Sequence, residues 1–360
     1  FLKPLINYVI DDGASEWISA ANEGDAVAIA SGAALAGRRA VAIMQNSGLG
    51  NAVSPLTSLN RVFNLPILLI VTWRGAPGLS DEPQHELMGK ITPKMLDTMD
   101  IPWRLFPQEE ADVAAILEEA CKVMDSSGRP FALIMEKGSV APWKLKSDSI
   151  PERCSESLSY RESPLKATPT RQQVLAEIQA ASAGLNSVII ASTGFSGREL
   201  FTLEDLPNQL YMVGSMGCAS SFALGLAMSR PDLQVIIADG DGAALMRMGN
   251  FSTLGSYGGE NLHHILLDNG VHESTGGQAT VATNVEFAEI AVACGYRSVA
   301  TGNDLHLINS AISSAGPNFL HVKTSRGVPE NLPRPDITPA EVKKRLMNAI
   351  GASAPWTDIT

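Results

Sequence analysis

Short apolar runs alternate with longer segments of helical periodicity along most of the chain. The runs are rich in Val and Ile and apolar at nearly every position, as expected for strands that helices cover on both faces of a parallel sheet. In the first half we predict strands at 40–44, 66–73, 103–106 and 131–136 and helices at 15–36, 51–63 and 109–126. In the second half we predict strands at 187–192, 210–213, 234–238, 262–268 and 318–324 and helices at 170–183, 215–229, 285–294, 305–314 and 338–350.

The alternation stops between residues 137 and 170, where the sequence becomes polar and rich in Ser and Pro. Such a composition is typical of a connection between domains. We therefore predict an α/β protein with two domains of mostly parallel sheet covered by helices, at 1–140 and 169–360, joined by a linker at 141–168.

Composition narrows the possible functions. The chain has 360 residues, of which 45% are hydrophobic and 18% charged, so each domain can bury its own core. The longest strongly apolar run, 66–73, is too short to cross a membrane. A net charge of −11 argues against nucleic-acid or membrane-surface partners but allows a small anionic substrate. Four cysteines without a CxxC pair, and no recognisable signal segment, favour the cytoplasm.

Candidate metal chemistry lies at the ends of two predicted strands, where open α/β sheets bind their ligands. Asp241 follows the run QVIIAD between Gly240 and Gly242, and Asn269 follows the run LHHILLD. Because 28 residues separate them, which is one helix-and-strand crossover, both side chains can converge on one ion. Carboxylate and amide oxygens suit Mg²⁺, and the glycines let the backbone approach a diphosphate.

A GDG motif followed just under thirty residues later by DN resembles the cofactor motif of the thiamine-diphosphate-dependent enzymes. The resemblance implies that Asp241, Asn269 and the Val271 carbonyl hold Mg²⁺ on the diphosphate. Gly214 would accept a hydrogen bond from the 4′-amino group, and Met216 would force the cofactor into a bent shape. The implied cofactor-binding residues of the second half are Thr193, Gly194, Gly214, Met216, Gly240, Asp241, Gly242, Ala243 and Asn269.

The resemblance also implies a catalytic Glu in the first half, and Glu23 in the segment AANEGDAVAIASG matches it. This Glu would bind the cofactor by hydrogen-bonding N1′ of the aminopyrimidine, which promotes removal of the proton from C2 of the thiazolium ring. A carboxyl group in apolar surroundings can hold a proton near neutral pH, as this role needs.

The resemblance covers nearly the whole chain, as a pyrimidine-binding half, a linker and a diphosphate-binding half. Many family members carry a middle domain that this chain lacks, and the usual strand before the Glu helix is missing or cut off. The compact layout resembles the phosphonopyruvate and sulfopyruvate decarboxylases. It implies decarboxylation of 3-phosphonopyruvate to phosphonoacetaldehyde and CO₂, in phosphonate biosynthesis. The segments GDGAALMRMGN and LDNGVHESTGGQAT look more like the phosphonopyruvate enzymes, and sulfopyruvate is the alternative substrate.

A small anionic 2-oxo acid needs fixed donors, and loops at predicted strand ends offer them. The predicted substrate-binding residues are Asn46, Ser47, Arg74, His85, Lys90, His272, Ser274 and Thr275. We expect His85 and His272 to be catalytic as well, because a histidine in such a loop can act as a proton relay. His263 and His264 lie inside a predicted strand and are interpreted as structural.

Other functions fit less well. A nicotinamide or flavin oxidoreductase would need GxGxxG, and the residues after Gly242 lack the third glycine. A non-catalytic regulatory subunit would lose the Glu or a metal ligand, whereas this chain keeps them. A carboligase that adds a second aldehyde or keto acid shares these cofactor motifs and remains open. In the family the pyrimidine half of one subunit faces the diphosphate half of another, which implies a homodimer or larger homo-oligomer with sites between subunits.

Overall fold

The computed structural model describes residues 1–147, 159–162 and 167–360, and for 159–162 the backbone alone. Most of the predicted linker at 141–168 therefore lies outside the described residues. Of the helices that the structure describes, none combines the length and apolar character needed to span a membrane.

The first half contains a parallel sheet of four strands in the order β1-β2-β4-β3. Its strands are β1 (Val41–Met44), β2 (Leu68–Thr72), β3 (Trp103–Leu105) and β4 (Phe131–Met135). Its helices are α1 (Lys3–Asp12), α2 (Glu23–Leu35), α3 (Leu49–Pro55), α4 (Arg61–Phe63), α5 (Glu86–Thr98) and α6 (Glu110–Ser127), with a π-helical stretch at Leu56–Asn60 between α3 and α4. All four predicted strands of this half are confirmed.

The predicted helix at 15–36 was wrong at its start, because the helix begins only at Glu23. Asn22 is extended, and its side-chain Oδ1 accepts a hydrogen bond from the Gly24 amide at 2.8 Å. This N-cap satisfies an amide that would otherwise lack a partner at the helix end. As a result, Glu23 is the first residue of a buried helix.

The second half contains seven parallel strands in the order β5-β12-β13-β9-β8-β6-β7, and a small antiparallel ribbon, β10-β11. Its strands are β5 (Ser159–Glu162), β6 (Ser187–Ala191), β7 (Gln209–Tyr211), β8 (Gln234–Gly240), β9 (Leu262–Asp268), β10 (Val271–His272), β11 (Gln278–Ala279), β12 (Ser298–Gly302) and β13 (Asn318–Lys323). Its helices are α7 (Arg171–Ser182), α8 (Phe195–Leu203), α9 (Ala219–Ser229), α10 (Asp241–Met246), α11 (Asn250–Tyr257), α12 (Phe287–Cys294), α13 (His306–Ser313) and α14 (Pro339–Ala349).

The large sheet confirms the five predicted strands of this half and adds two that were not predicted, β5 and β12. β5 falls inside the segment predicted as linker, and it pairs in parallel with β12 at the edge of the sheet. After β6 the chain forms β7 on one side of β6, and it then crosses to form β8 on the other side of β6. The crevice between β6 and β8 is therefore the topological switch point, where α/β sheets bind ligands.

Helices α2 and α9 join the two halves. Both are buried on nearly all sides, and each brings a glycine to the point where they cross. A Cβ atom added to Gly32 would collide with the Phe222 carbonyl oxygen, and one added to Gly225 would collide with the Ile29 carbonyl oxygen. The backbones therefore touch directly, and one continuous hydrophobic core runs through both halves.

Candidate active site

Four loops meet at the carboxyl ends of β6, β7, β8 and β9, on the side of the switch point. A hydrogen bond joins the loops after β6 and β7, because the Gly214 amide donates to Oγ1 of Thr193 at 3.1 Å. Gly194 and Gly214 have φ angles of 107° and 73°, in the region that favours glycine. A cavity of about 410 Å³ opens beside this pair of loops, next to Gly194 and Ser274.

Asp241 begins α10 and is almost fully buried. Its Oδ2 accepts a hydrogen bond from Oγ1 of Thr280 at 2.6 Å, and no Lys or Arg in the described part of the chain pairs with it. Burial raises the pKa of Asp241, and the charge of Asp268 adds to that shift. A buried carboxylate without a cationic partner is the group that a bound divalent cation would stabilise.

Asn269 is half-buried directly after β9, and its Oδ1 accepts from the Val271 amide at 3.1 Å. The preceding Asp268 is held by Nε2 of His321 at 2.8 Å and by Nζ of Lys323 at 2.5 Å. These partners lower the pKa of Asp268 against the opposing effect of burial. They also fix the turn that presents Asn269.

The donor set fits magnesium better than a softer metal. The described residues include no cluster of three or more His, Cys, Asp or Glu side chains that could hold a metal. Hard oxygen ligands are available from the Asp241 carboxylate, the Asn269 amide and the Val271 backbone carbonyl. Three such ligands leave room on Mg²⁺ for phosphate oxygens and water. The predicted Mg²⁺–diphosphate site is therefore compatible with the residues present.

Gly242 lies under two of the predicted site residues. A Cβ atom added there would collide with Cε1 of His272 and would lie 3.1 Å from Cε of Met216. The structure thus brings together residues from the loops after β7, β8 and β9. Ser274, two residues beyond His272, faces Gly194, because a Cβ added to that glycine would lie 3.7 Å from the Ser274 hydroxyl.

A buried ion pair supports the loop that carries His272 and Thr275. Arg171 of α7 pairs with Glu273 at 2.7 Å and also with Glu199, and all three side chains are at most 9% exposed. Sequence reasoning did not single out any of these three residues. Their separation in the chain leaves no local signal of the cluster.

Glu23 is half-buried at the start of α2. Its Oε2 accepts from Nδ2 of Asn51 at 2.8 Å, and its other carboxylate oxygen lies against the backbone of Gly48. Across the contact between the halves, Oγ of Ser58 lies 2.7 Å from Oγ of Ser215. Within one chain, the π-helical stretch that holds Ser58 and the loop that holds Gly214 and Met216 therefore share one interface.

Asn46 is held by contacts within the protein, and its predicted substrate role stays a prediction. The side chain is fully buried, and its amide nitrogen donates to the Arg74 carbonyl at 2.9 Å and to Oγ1 of Thr92 at 3.0 Å. Both amide hydrogens are therefore used within the protein. Asn46 fixes the loop after β1 against the loop after β2.

The other predicted substrate residues of the first half differ in their surroundings. Arg74 forms a two-pronged ion pair with Asp81, and Lys90 pairs with Glu86 on the exposed side of α5 at 2.6 Å. Ser47 is exposed and accepts from Gln45. His85 is 4% exposed, and its buried Nδ1 has no hydrogen-bond partner.

The histidines interpreted as structural are indeed buried within β9. Nε2 of His263 contacts Oε1 of Gln234 at 2.7 Å, and Nδ1 of His264 contacts the Tyr296 hydroxyl at 3.0 Å. Burial lowers the pKa of His263 to about 4, which keeps this ring neutral at physiological pH.

Known proteins resemble this chain over most of its length. The family model for the C-terminal TPP binding domain of thiamine pyrophosphate enzymes matches residues 193–322. The phosphonopyruvate decarboxylase of Streptomyces viridochromogenes is 40% identical over 355 residues, which cover 96% of this chain and 88% of that protein. The sulfopyruvate decarboxylase of Methanosarcina acetivorans is 29% identical over 348 residues, which cover 92% of this chain and 88% of that protein.

A solved structure shows the same fold. The X-ray structure of a Mycobacterium smegmatis protein, assigned as a thiamin diphosphate-dependent enzyme, has a TM-score of 0.66 and 14% identity over 90% of this chain and 95% of its own. The 40% identity to the Streptomyces protein extends over 96% of this chain and 88% of that protein, and it shows that the two belong to one family. The chain belongs to the family of thiamine-diphosphate-dependent decarboxylases that includes the phosphonopyruvate decarboxylases.

Proposed function

We propose that this protein decarboxylates 3-phosphonopyruvate to phosphonoacetaldehyde and CO₂, with thiamine diphosphate and Mg²⁺. One observation carries the proposal. In a chain 40% identical to a phosphonopyruvate decarboxylase, the helix start at Glu23 and the loops of Gly214, Asp241 and His272 are linked by direct contacts across the two halves.

Some residues of the chain would bind the cofactor and the metal, and others would hold or transfer protons. Asp241, Asn269 and the Val271 carbonyl would hold Mg²⁺ and the diphosphate, and Met216 would support the two cofactor rings. The bound cofactor supplies the electron sink that makes loss of CO₂ possible. Glu23 would hold a proton at N1′ of the aminopyrimidine, with Asn51 fixing the orientation of its carboxylate at 2.8 Å.

His272 is the better placed of the two proton-relay candidates, because its ring lies over Gly242 beside Met216. His85 is buried with an unpartnered Nδ1, so it could accept or donate a proton toward a ligand. Ser47, Ser274 and Thr275 offer hydroxyls for the phosphonate. Arg74 and Lys90 would have to exchange their present carboxylate partners for the substrate.

A comparison of three substrates tests the proposal. The protein is incubated with thiamine diphosphate and Mg²⁺ and offered phosphonopyruvate, sulfopyruvate and pyruvate separately, while CO₂ and aldehyde are measured. We expect a preference for phosphonopyruvate that Glu23→Gln abolishes. A preference for sulfopyruvate, the second candidate through the Methanosarcina relative, would keep the cofactor chemistry and change the head group. Cofactor binding without CO₂ from any of the three would favour a carboligase.

We also propose a cytoplasmic homodimer or larger homo-oligomer with sites between subunits. The resemblance supports this assembly, since the family pairs halves from different subunits. The contact between α2 and α9 is buried and apolar, and an interface of this kind can join halves of one chain or of two.

Mixing two inactive variants distinguishes these arrangements. Glu23→Gln and Asp241→Ala each disable one half of the site. If the sites lie between subunits, co-refolded mixtures contain some dimers in which one site combines two intact halves, and activity returns. If each chain forms its own site, mixing restores nothing, and the proposal of shared sites fails even if sizing shows a dimer.

A further inference from the structure

Arg247 crosses the contact between the halves at the first turn of α2. It lies just after α10 in the diphosphate half, and its side chain is 14% exposed. One guanidinium nitrogen donates to Oδ1 of Asn22 at 2.7 Å and lies 3.4 Å from Oδ1 of Asp25. These two residues flank Glu23 and Gly24 in the other half.

Two glycines leave room for the Arg247 side chain. A Cβ atom added to Gly24 would lie 2.5 Å from both terminal nitrogens of Arg247. One added to Gly217 would lie 2.9 Å from its Cγ. A glycine on each side therefore lets the arginine pass between the halves, and the backbone beside Glu23 lies directly against the charged group.

Asp25 contacts Arg247 from the buried side of the interface. It is almost fully buried, and its Oδ1 also accepts from Oγ of Ser221 of α9 at 3.0 Å. Burial raises the pKa of Asp25, while Arg247 opposes that shift. The arginine is thus the partner that compensates a buried carboxylate two residues after Glu23.

Helix stability does not explain this arrangement. A cation at a helix N-terminus opposes the helix dipole, and a buried ion pair often contributes little net stability while it fixes the register of the elements that it joins. Asn22 Oδ1 receives both the Arg247 guanidinium and the Gly24 amide that it caps. Any movement of Arg247 is therefore transmitted to the residue that precedes Glu23.

We propose that Arg247 is a positioning residue for the reaction. Through Asn22 and Asp25 it holds the start of α2, and so the Glu23 carboxylate, in place against the loop of Gly214 and Met216. It acts on Glu23 and does not touch the substrate. Lysine would not replace it fully, because an ammonium lacks the planar guanidinium whose two terminal nitrogens lie against Gly24. This inference rests on the proposed function of Glu23.

The test measures the step that Glu23 serves before any substrate is present. Hydrogen–deuterium exchange at C2 of bound thiamine diphosphate is followed by quenched NMR at saturating cofactor and Mg²⁺. We expect Arg247→Met to slow this exchange by about ten- to a hundredfold, since small misplacements of a catalytic group cost that much. Arg247→Lys and Asp25→Asn should slow it less. The dissociation constant of the cofactor, from calorimetry, should change little, because the diphosphate residues are intact.

Controls separate the possible failures. Arg104→Met removes an exposed arginine paired with Glu119 in the first half and should leave exchange unchanged. Exchange at the wild-type rate in Arg247→Met would overturn this inference, whatever the melting temperature shows. If Arg247→Met does not fold, wild-type rates in both Arg247→Lys and Asp25→Asn would overturn it equally. If Glu23→Gln exchanges as fast as the wild-type protein, the proposed function fails and this inference falls with it.

Discussion

Thr280 connects two loops that the sequence shows only separately. Its hydroxyl donates to Asp241 at 2.6 Å, and its amide donates to the Gly270 carbonyl at 2.9 Å. The residue stands at the end of the ribbon β10-β11, eleven positions after Asn269. It therefore orients one predicted metal ligand while it fixes the turn beside the other.

We expect Thr280→Val to weaken Mg²⁺-dependent binding of thiamine diphosphate by about ten- to a hundredfold, the usual cost of losing a group that orients a metal ligand. Valine keeps the shape and removes the hydrogen bond to Asp241. Calorimetric titration at several Mg²⁺ concentrations measures the effect. Thr280→Ser keeps the hydroxyl and should bind nearly as well as the wild-type protein. Equal affinities for Val and Ser would show that the hydrogen bond has no part in binding.

The buried cluster of Arg171, Glu199 and Glu273 makes a prediction about stability. Arg171→Met leaves two buried carboxylates without their cation, so the free energy of unfolding should fall by about 3–5 kcal/mol. Urea unfolding followed by circular dichroism measures it. Adding Glu199→Gln to Arg171→Met should recover part of the loss, because one uncompensated charge is removed. A double variant less stable than the single one would contradict this account.

At the residue scale the sequence indicates candidate groups but not the contacts that surround them. Asp241 and Asn269 were predicted as metal ligands because strand ends and spacing mark them, and in the structure both directly follow strands. Arg247, Thr280 and Arg171 were missed because their partners are distant in sequence, so no local pattern reveals them. Asn46 was assigned to the substrate from its place at a strand end, and only the structure shows that its amide group donates to Arg74 and Thr92.

At the scale of elements, strands were predicted more reliably than helices. Buried parallel strands such as β9 are continuous apolar runs with clear ends. β12 was missed because its sequence, SVATG, is short and half polar. α8 and α10 were missed because each begins at a glycine-rich loop that reads as a turn. The start of α2 was misplaced because the residues before Asn22 continue its apolar composition without forming helix.

Helix α1 packs against the 143–147 segment, and a carboxylate near the end of the helix makes several of the contacts, beside those of Asn7 and Tyr8 with Trp143. Asp11 accepts hydrogen bonds from Nε1 of Trp143 at 2.7 Å and from the amides of Lys146 and Ser147. These donors lower the pKa of Asp11 to about 2. The folded state therefore binds the proton more weakly than the unfolded state, so the stabilisation is complete above about pH 5 and is lost as the pH falls through 4 toward 2.

We expect Asp11→Asn to remove part of the acid sensitivity of the protein in that window. The stability difference between the wild-type protein and the variant should be constant from pH 5 to 7 and should shrink below pH 4. Thermal unfolding across this range measures it. Asp12→Asn is the matched control, since it removes an adjacent carboxylate that does not contact the 143–147 segment. A difference independent of pH would contradict the assigned role of Asp11.

At the scale of the whole molecule, the glycine contacts between α2 and α9 decide how the halves meet. Gly225→Ala would place a Cβ atom against the Ile29 carbonyl, so the helices must separate. We expect a loss of about 1–3 kcal/mol or more in the free energy of unfolding, as for other overpacked cores. Chemical denaturation measures it.

Gly50→Ala is the matched control for this substitution. Gly50 lies within α3 and has no neighbour within 4 Å of an added Cβ. Alanine there should be neutral or stabilise the protein by up to about 1 kcal/mol, because it favours the helix and restricts the unfolded chain. If both variants lost the same stability, steric contact between the helices would not be the cause.

The ribbon β10-β11 has a kinetic consequence. It carries His272 at one end and, through Thr280, is tied to Asp241 at the other. An ion bound by Asp241 and Asn269 would therefore order the same strand pair that presents the histidine to the substrate. We expect compulsory sequential addition, in which cofactor and metal bind before the 2-oxo acid, rather than addition in random order.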